Sequence, residues 1–147
     1  MSILINKKAK RDYSFLKEYS AGIELRGFEV KSIRTGKANM RGAHIVIRGN
    51  EAFLVGMTIS PYQIANTPDD YDPERVRRLL LTKKEIIELA EYEKQKGLTI
   101  VPLSLYNSKG LIKVSLAVAR GKKKYDKREE VKKRDADRKI KRTLKKQ

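Results

Sequence analysis

Apolar and polar positions along much of this chain alternate with the two-residue period of a half-buried strand, and only a few stretches take a helical rhythm. The clearest strand pair is AHIVIRGNEAFLVGM. There Ile45 and Ile47 alternate with Val46 and Arg48, Gly49 and Asn50 supply a turn, and residues 52–55 run back as a second antiparallel strand. LTIVPLSLY and GLIKVSLAVAR flank NSKG and predict a second hairpin. Upstream, YSFLKEYSAGIEL predicts a strand, a break near Ala21 and Gly22, and another strand.

The helical stretches carry their own punctuation. RGFEVKSIRTGKANMRG predicts a short helix or turn ending at Gly36. PERVRRLLLTKKEIIELAEYEKQKG predicts two helices. Pro73 suits the first helical position after Asp72 as N-cap, and Thr82 with Glu85 forms a capping box for the second helix. Ile86, Leu89 and Ala90 make the apolar face of that second helix, and Gly97 stops it. In the first, the LLL run anchors one side, so Arg75, Arg77 and Arg78 are expected to face outward. SPYQIANTPDDYDP holds three of the four prolines without an apolar period, which predicts a long surface connection. About six short strands with two to three helices predict a mainly β fold, an OB-like antiparallel barrel.

Charge changes this picture at one end. The 147 residues carry 35 Lys or Arg against 18 Asp or Glu, a formal net charge of +17. Fifteen of those bases and five of the acids lie after residue 119. The expected organisation is therefore a barrel over residues 1–120 and a basic C-terminal tail over 121–147. At 100° per residue Ala136, Ile140 and Leu144 fall within about 80° of one another while Val131 lies opposite, too thin a stripe for a stable isolated helix. Such a segment is expected to be disordered alone and to order on a polyanion, becoming helical once phosphates neutralise it. A polyanionic partner is implied, nucleic acid before membrane.

Several chemistries are excluded. With no Cys and a single His, His44, neither disulfides, thiolate catalysis nor a zinc knuckle can form. Neither Gly36-Lys37 nor Gly121-Lys122 has the upstream glycine of a phosphate-cradling P-loop, so GKKK is not a nucleotide site. His44 falls in a strand with no adjacent nucleophile motif, and Asp69 with Asp70 reads as solvated surface. No catalytic site, metal or cofactor is expected. No apolar run is long enough to cross a membrane and no secretion signal opens the chain, which predicts a soluble cytoplasmic protein.

The candidate RNA contacts are the bases Lys7, Lys8, Lys10 and Arg11 near the N-terminus, and Lys31, Arg34, Lys37 and Arg41 beside glycine turns where backbone and side chain can both approach phosphates. Tyr19, Tyr62 and Tyr125 stand in polar surroundings and are the candidates for stacking on bases. From these features alone an RNA-binding factor, a structural ribosomal protein and a general single-strand-binding module all remain open.

NKKAKRDY, AGIELRGFEVKSIRTGKANMRGAHI, DPERVRRLLLTKKEI, KGLTIVPLSLY and ARGKKKYDKREEVKKRD resemble, in order and spacing, the SsrA-binding (small protein B) family over nearly the whole chain. The resemblance implies an OB-like barrel with three helices and no enzymatic activity. It also implies binding to the tRNA-like domain of transfer-messenger RNA, delivery of that RNA to stalled bacterial ribosomes in trans-translation, and a monomer when free. It implies RNA contacts at Asn6, Lys7, Arg11, Gly22, Glu29, Lys31, Ser32, Arg34, Gly36, Lys37, Asn39 and Leu80. In the tail it implies that Gly121, Lys122, Lys123, Lys124, Tyr125, Asp126, Lys127, Arg128, Lys132, Lys133 and Arg134 enter the decoding centre and mRNA channel, with Gly121 as hinge. Two positions depart from the pattern: Ser20 stands where a relative has Glu, and Thr82 where it has Asn.

Overall fold

The computed structural model describes residues 2–122. In chain order its elements are β1 (Ser2–Ile5), α1 (Lys7–Asp12), β2 (Tyr13–Ile23), α2 (Gly27–Arg34), β3 (Ala38–Asn39), β4 (His44–Arg48) and β5 (Glu51–Val55). These are followed by β6 (Thr58–Ile59), a 3-10 turn at Ile64–Asn66, β7 (Arg77–Leu80), α3 (Lys83–Glu93), β8 (Leu98–Ser108) and β9 (Leu111–Gly121). Hydrogen bonding runs β8-β4-β5-β7-β2-β9 and returns to β8, a closed ring of six antiparallel strands, with β1 added to β8 and the β3–β6 pair separate. Closure removes the exposed edges that would otherwise template aggregation.

Both expected hairpins form. Gly49 and Asn50 have φ of 56° and 63°, and Lys109 and Gly110 have φ of 51° and 80°. Two successive left-handed residues make the type I′ turn whose twist matches that of the flanking strands. The expected break at Ala21 and Gly22 is absent. β2 runs from Tyr13 to Ile23, with one register shift between Phe15 and Lys17 and none at Ala21, because β9 places Ala21 opposite Val114 and Gly22 opposite Lys113 while β7 takes Gly22 and Ile23 on the other edge.

The helix expected to begin at Pro73 is also absent. Residues 77–80 form β7 between β5 and β2, so the relevant period is two. Arg77 and Leu79 point inward while Arg78 and Leu80 point out. The second helix matches its signals: Thr82 Oγ1 accepts the Glu85 amide at 3.2 Å and Glu85 Oε1 accepts the Thr82 amide at 3.0 Å. α3 ends at Glu93, four residues before Gly97. Its Leu89 is buried and its Glu93 accepts the Ile47 amide at 2.9 Å, which fastens the helix to β4.

The main core fills the ring with Ile45, Leu54, Leu79, Ile100, Leu105, Val114 and Leu116, joined by Ile33 of α2 and Leu89 of α3. A second cluster lies outside the ring, where Ala9 of α1 packs on Val101, Leu103, Ala117 and Ala119 with Tyr13 and Phe15 beside it. Ala117 and Ala119 on β9, facing Ala9, let the helix backbone approach. β9 extends one residue past the expected boundary at 120: Gly121 pairs with Tyr13, and the Lys122 amide donates to the Asp12 carbonyl at 2.8 Å. The ladder continues because β2 and the end of α1 still offer it partners. The predicted sites at Lys123, Lys124, Tyr125, Asp126, Lys127, Arg128, Lys132, Lys133 and Arg134 lie outside the described residues.

Candidate nucleic-acid interface

Three residues expected at the RNA surface are interior supports. Glu29 and Arg77 are both 0% exposed and pair at 2.8 Å, while Arg75, one-quarter exposed, closes on the other carboxylate oxygen. Tyr71 donates to Glu29 at 3.0 Å, and the Arg26 amide donates at 2.8 Å. Arg77 also donates to the carbonyls of Met57 and Pro73 at 2.7 and 2.9 Å. Burial pushes the Glu29 carboxyl up, but hydrogen bonds from the Arg75 guanidinium, the Arg26 amide and Arg77 outweigh it and hold the group at about 2. This hub ties α2 to β7 and to the connection between β6 and β7. Arg77 does not face outward as its neighbours suggest, because the strand period turns it toward Glu29.

Asn6 is the second such support. Its Oδ1 accepts the Ala9 amide at 3.2 Å, capping α1, and its Nδ2 donates to the Pro102 carbonyl at 2.8 Å. Its own amide donates to the Leu103 carbonyl at 2.8 Å. Pro102 has no N–H and marks a register shift in β8. Asn6 thereby bridges the stretch where β8 changes outer partner from β4 to β1. Ser32, the third, is buried on the inner side of α2, and its hydroxyl has no hydrogen-bond partner among the described residues.

The remaining predicted contacts are at the surface or half-buried and gather around α1 and α2. Lys7, Lys8 and Arg11 line a cleft of about 410 Å³ whose other wall is Asn39, Met40 and Arg41. Six residues, five of them charged, are too few for an independent helix. Asn6 and the packing of Ala9 hold α1 in place, a stabilisation absent from its own pattern. Asn39 Oδ1 accepts the Arg41 amide at 2.8 Å and shapes the opposite wall.

α2 delivers the next group. Its C-terminus is a Schellman motif: the Gly36 amide donates to the Ile33 carbonyl at 3.1 Å, and the Lys37 amide to the Ser32 carbonyl at 2.8 Å. This requires φ of +81° at Gly36, which only glycine adopts without strain. The turn projects Lys37 beside Lys31. Both ammonium groups lie near the Tyr62 ring, 5.9 Å from its centroid for Lys31 and 5.7 Å for Lys37. Arg34 reaches the other way and donates to the Gly110 carbonyl at 3.2 Å.

Gly110 belongs to a shallow apolar hollow that also contains Gly22, Val30, Leu80 and Leu111. A Cβ on Gly22 would stand 3.3 Å from that of Leu80, so glycine is what lets Leu80 lie close against β2. Leu80 is 49% and Leu111 66% exposed. Leu111 carries no sequence signal of this position, because it reads as an ordinary strand residue.

Two stacking candidates separate here. Tyr19 is buried, with its hydroxyl donating to Glu88 at 3.2 Å, so it offers no face to a base. Its immediate neighbours Glu18 and Ser20 belong to the opposite side of the strand, while Lys17 lies over the Tyr19 ring, 5.2 Å from its centroid. Tyr62 is half-buried and stays available. At the departing positions, Ser20 meets the Tyr106 hydroxyl and Thr82 caps α3, so both side chains already have work within the fold. His44 is exposed at the start of β4, and no cluster of three or more His, Cys, Asp or Glu side chains suits a metal among the described residues.

Ion pairing sorts the cations. Lys17 pairs with Glu88 at 3.3 Å, Arg48 with Glu93 at 3.0 Å, and Arg78 with Glu24 and Glu51 at 3.2 and 3.3 Å. Among the described residues Arg11 pairs with its neighbour Asp12, at 3.2 Å. Lys7, Lys8, Lys31, Arg34, Lys37 and Arg41 have no carboxylate within pairing distance among the described residues. Cations without internal partners keep their field for an external anion, and each that neutralises a phosphate releases a counterion.

Known proteins resemble this chain over most of its length. The family model described as "SmpB protein" matches residues 3–146. The SsrA-binding protein of Thermosipho africanus (strain TCF52B) is 53% identical over 144 residues, covering 97% of this chain and 96% of that protein. The SsrA-binding protein of Trichodesmium erythraeum (strain IMS101) is 49% identical over 140 residues, covering 95% and 90%. A solved structure described as "tmRNA-SmpB: a journey to the center of the bacterial ribosome" is 44% identical and superposes with a TM-score of 0.69, over 82% of this chain and 85% of that one.

Proposed function

The chain belongs to the SmpB family, and from that premise we propose that it is a non-catalytic RNA-binding factor that binds transfer-messenger RNA and works with it on the ribosome in trans-translation. The observation that carries the reading is the set of cations on α1, on α2 and in the turn after it that have no carboxylate partner, set beside the apolar hollow at Leu80. Phosphates satisfy the first and an unstacked nucleotide suits the second. The tRNA-like domain is the part of that RNA we assign to this face, since a folded RNA elbow presents both backbone and unpaired bases. Lys7, Arg11, Gly22, Lys31, Arg34, Gly36, Lys37, Asn39 and Leu80 are the contacts, and Asn6, Glu29 and Ser32 act behind them as positioning residues. On this reading we assign the protein to the cytoplasm, where the ribosomes it works on would be.

We assign the basic tail to the vacant decoding centre and mRNA channel of a stalled ribosome, where walls of rRNA attract its charge. Truncation tests this. Because Lys122 is still bonded to Asp12, the deletion should start at 123 so that β9 stays intact. The truncated chain should bind the tRNA-like RNA with unchanged affinity and fail to support tagging of nascent chains on stalled ribosomes. Unchanged tagging refutes the tail assignment, and lost RNA binding refutes the division of labour between ring and tail. Equal affinity for an unstructured single strand would favour a general single-strand-binding module instead.

A further inference from the structure

We propose that Tyr62, with Lys31 and Lys37, forms a dedicated site for one unpaired nucleobase of the bound RNA. In it the phenol ring supplies the stacking face, and the two lysines hold the phosphates on either side of the base. The inference rests on the RNA-binding function above and deepens it: Lys31 and Lys37 are already among its phosphate contacts, and Tyr62, which it leaves without a ligand, receives the base between them.

Among the described tyrosines Tyr62 stands apart. Tyr19 is buried, and Tyr13 and Tyr92 pack against the two core clusters. Tyr71 donates to Glu29 and to the Ile59 carbonyl, and the Tyr106 hydroxyl meets Ser20. Tyr62 belongs to neither cluster, and its hydroxyl has no hydrogen bond among the described residues. Its backbone is nonetheless held. The Ser60 amide donates to the Lys37 carbonyl at 2.9 Å, Lys37 Nζ donates back to the Tyr62 carbonyl at 3.4 Å, and Pro61 restricts the residue between them. An aromatic ring kept out of the core on an anchored backbone is pre-organised for a planar ligand.

The ligand class follows from the charge. Lys31 and Lys37 come from α2 and from the turn after it, and both ammonium groups lie within 6 Å of the ring centroid. A ring with two cations beside it suits a planar group flanked by negative charges. One nucleotide in a chain is such a group, with its base for the ring and a phosphate on each side for the lysines. The contacts of both lysines with the ring are weak enough to exchange for phosphate. Base–aromatic stacking is sequence-tolerant, so the site selects an unpaired base and not a particular one.

The test measures the affinity of the full chain for the tRNA-like domain of transfer-messenger RNA across a salt series. Tyr62→Phe should bind within about twofold of the parent, and Tyr62→Leu about tenfold more weakly with the same salt slope, because stacking is lost while phosphate contacts stay. Lys31→Gln and Lys37→Gln should each lower the slope of log K against log salt by about 0.7 to 0.9. A purely structural Tyr62 would lower the melting temperature of Tyr62→Leu, so that temperature is measured alongside and should stay at the parent value. Photo-crosslinking from position 62 adds a readout independent of affinity and should map to one unpaired nucleotide. Parent-like binding by Tyr62→Leu, or crosslinks scattered over paired regions, overturns the stacking site while leaving the RNA face intact. A parent chain without preference for the folded RNA over a homopolymer removes both.

Discussion

Glu29→Gln removes one charge from the most buried electrostatic group in the molecule while changing its volume little. In the parent, Glu29 neutralises Arg77 at 0% exposure and takes a second guanidinium from Arg75. The amide leaves Arg77 buried with no counter-charge, a situation that costs about 3 to 5 kcal/mol. A second route gives a similar size. The carboxyl sits at about 2 against an ordinary 4.5, and at about 1.4 kcal/mol per unit this is about 3 kcal/mol of stability. Its sign is that of a depressed carboxyl: the contribution is complete above pH 4.5 and is lost as pH falls toward 2. Urea unfolding followed by circular dichroism at pH 7 should show Glu29→Gln less stable by about 3 kcal/mol, with a melting temperature about 10 °C lower. Between pH 4.5 and 2 the parent should lose stability faster than the variant. Adding Arg77→Met should recover part of the loss, since the stranded charge goes with it. A Glu29→Gln variant within about 1 kcal/mol of the parent at pH 7, with the same acid profile, would show that the hub does not hold the fold.

Two further substitutions separate positioning from contact. Gly36→Ala forces a side chain into φ of +81°, a strain of about 1 to 2 kcal/mol; chemical denaturation should read that loss, and RNA titration should show weaker binding because the turn that aims Lys37 is disturbed. Asn6→Ala removes the cap of α1 and leaves the Pro102 carbonyl without its donor, costing about 1 to 2 kcal/mol, and amide exchange should speed up in residues 7–12 while β4 and β5 keep their protection.

What the sequence made legible was what local physics decides. The two hairpins were readable because Gly49, Asn50 and Gly110 mark left-handed positions, although Lys109 does not, and α3 was readable because a capping box is a signal contained in four residues. The errors came from partners distant in sequence. Residues 73–81 resemble a helix start until β5 and β2 claim them for a strand. The inward Arg77 makes sense only beside Glu29, 48 residues away. Tyr19 looks polar in one dimension and is buried in three. The motif residues Asn6 and Glu29 looked like RNA contacts because a family motif marks importance without saying which way a side chain points.

α2 explains why support and contact residues are interleaved in one motif. Successive helical positions point about 100° apart, so GFEVKSIR places Glu29, Ser32 and Ile33 toward the interior and Lys31 and Arg34 toward solvent. The inner side chains determine where the outer ones stand. Glu29 ties the helix to β7, the strand that also carries Leu80, while the Schellman turn ties its end to Lys37. The unpaired lysines of α2 and its turn and the apolar hollow are thus set on one frame with a buried ion pair at its joint. A rigid frame spends less of the binding energy on ordering the protein, leaving more for recognising the distance between an RNA backbone and an unstacked base.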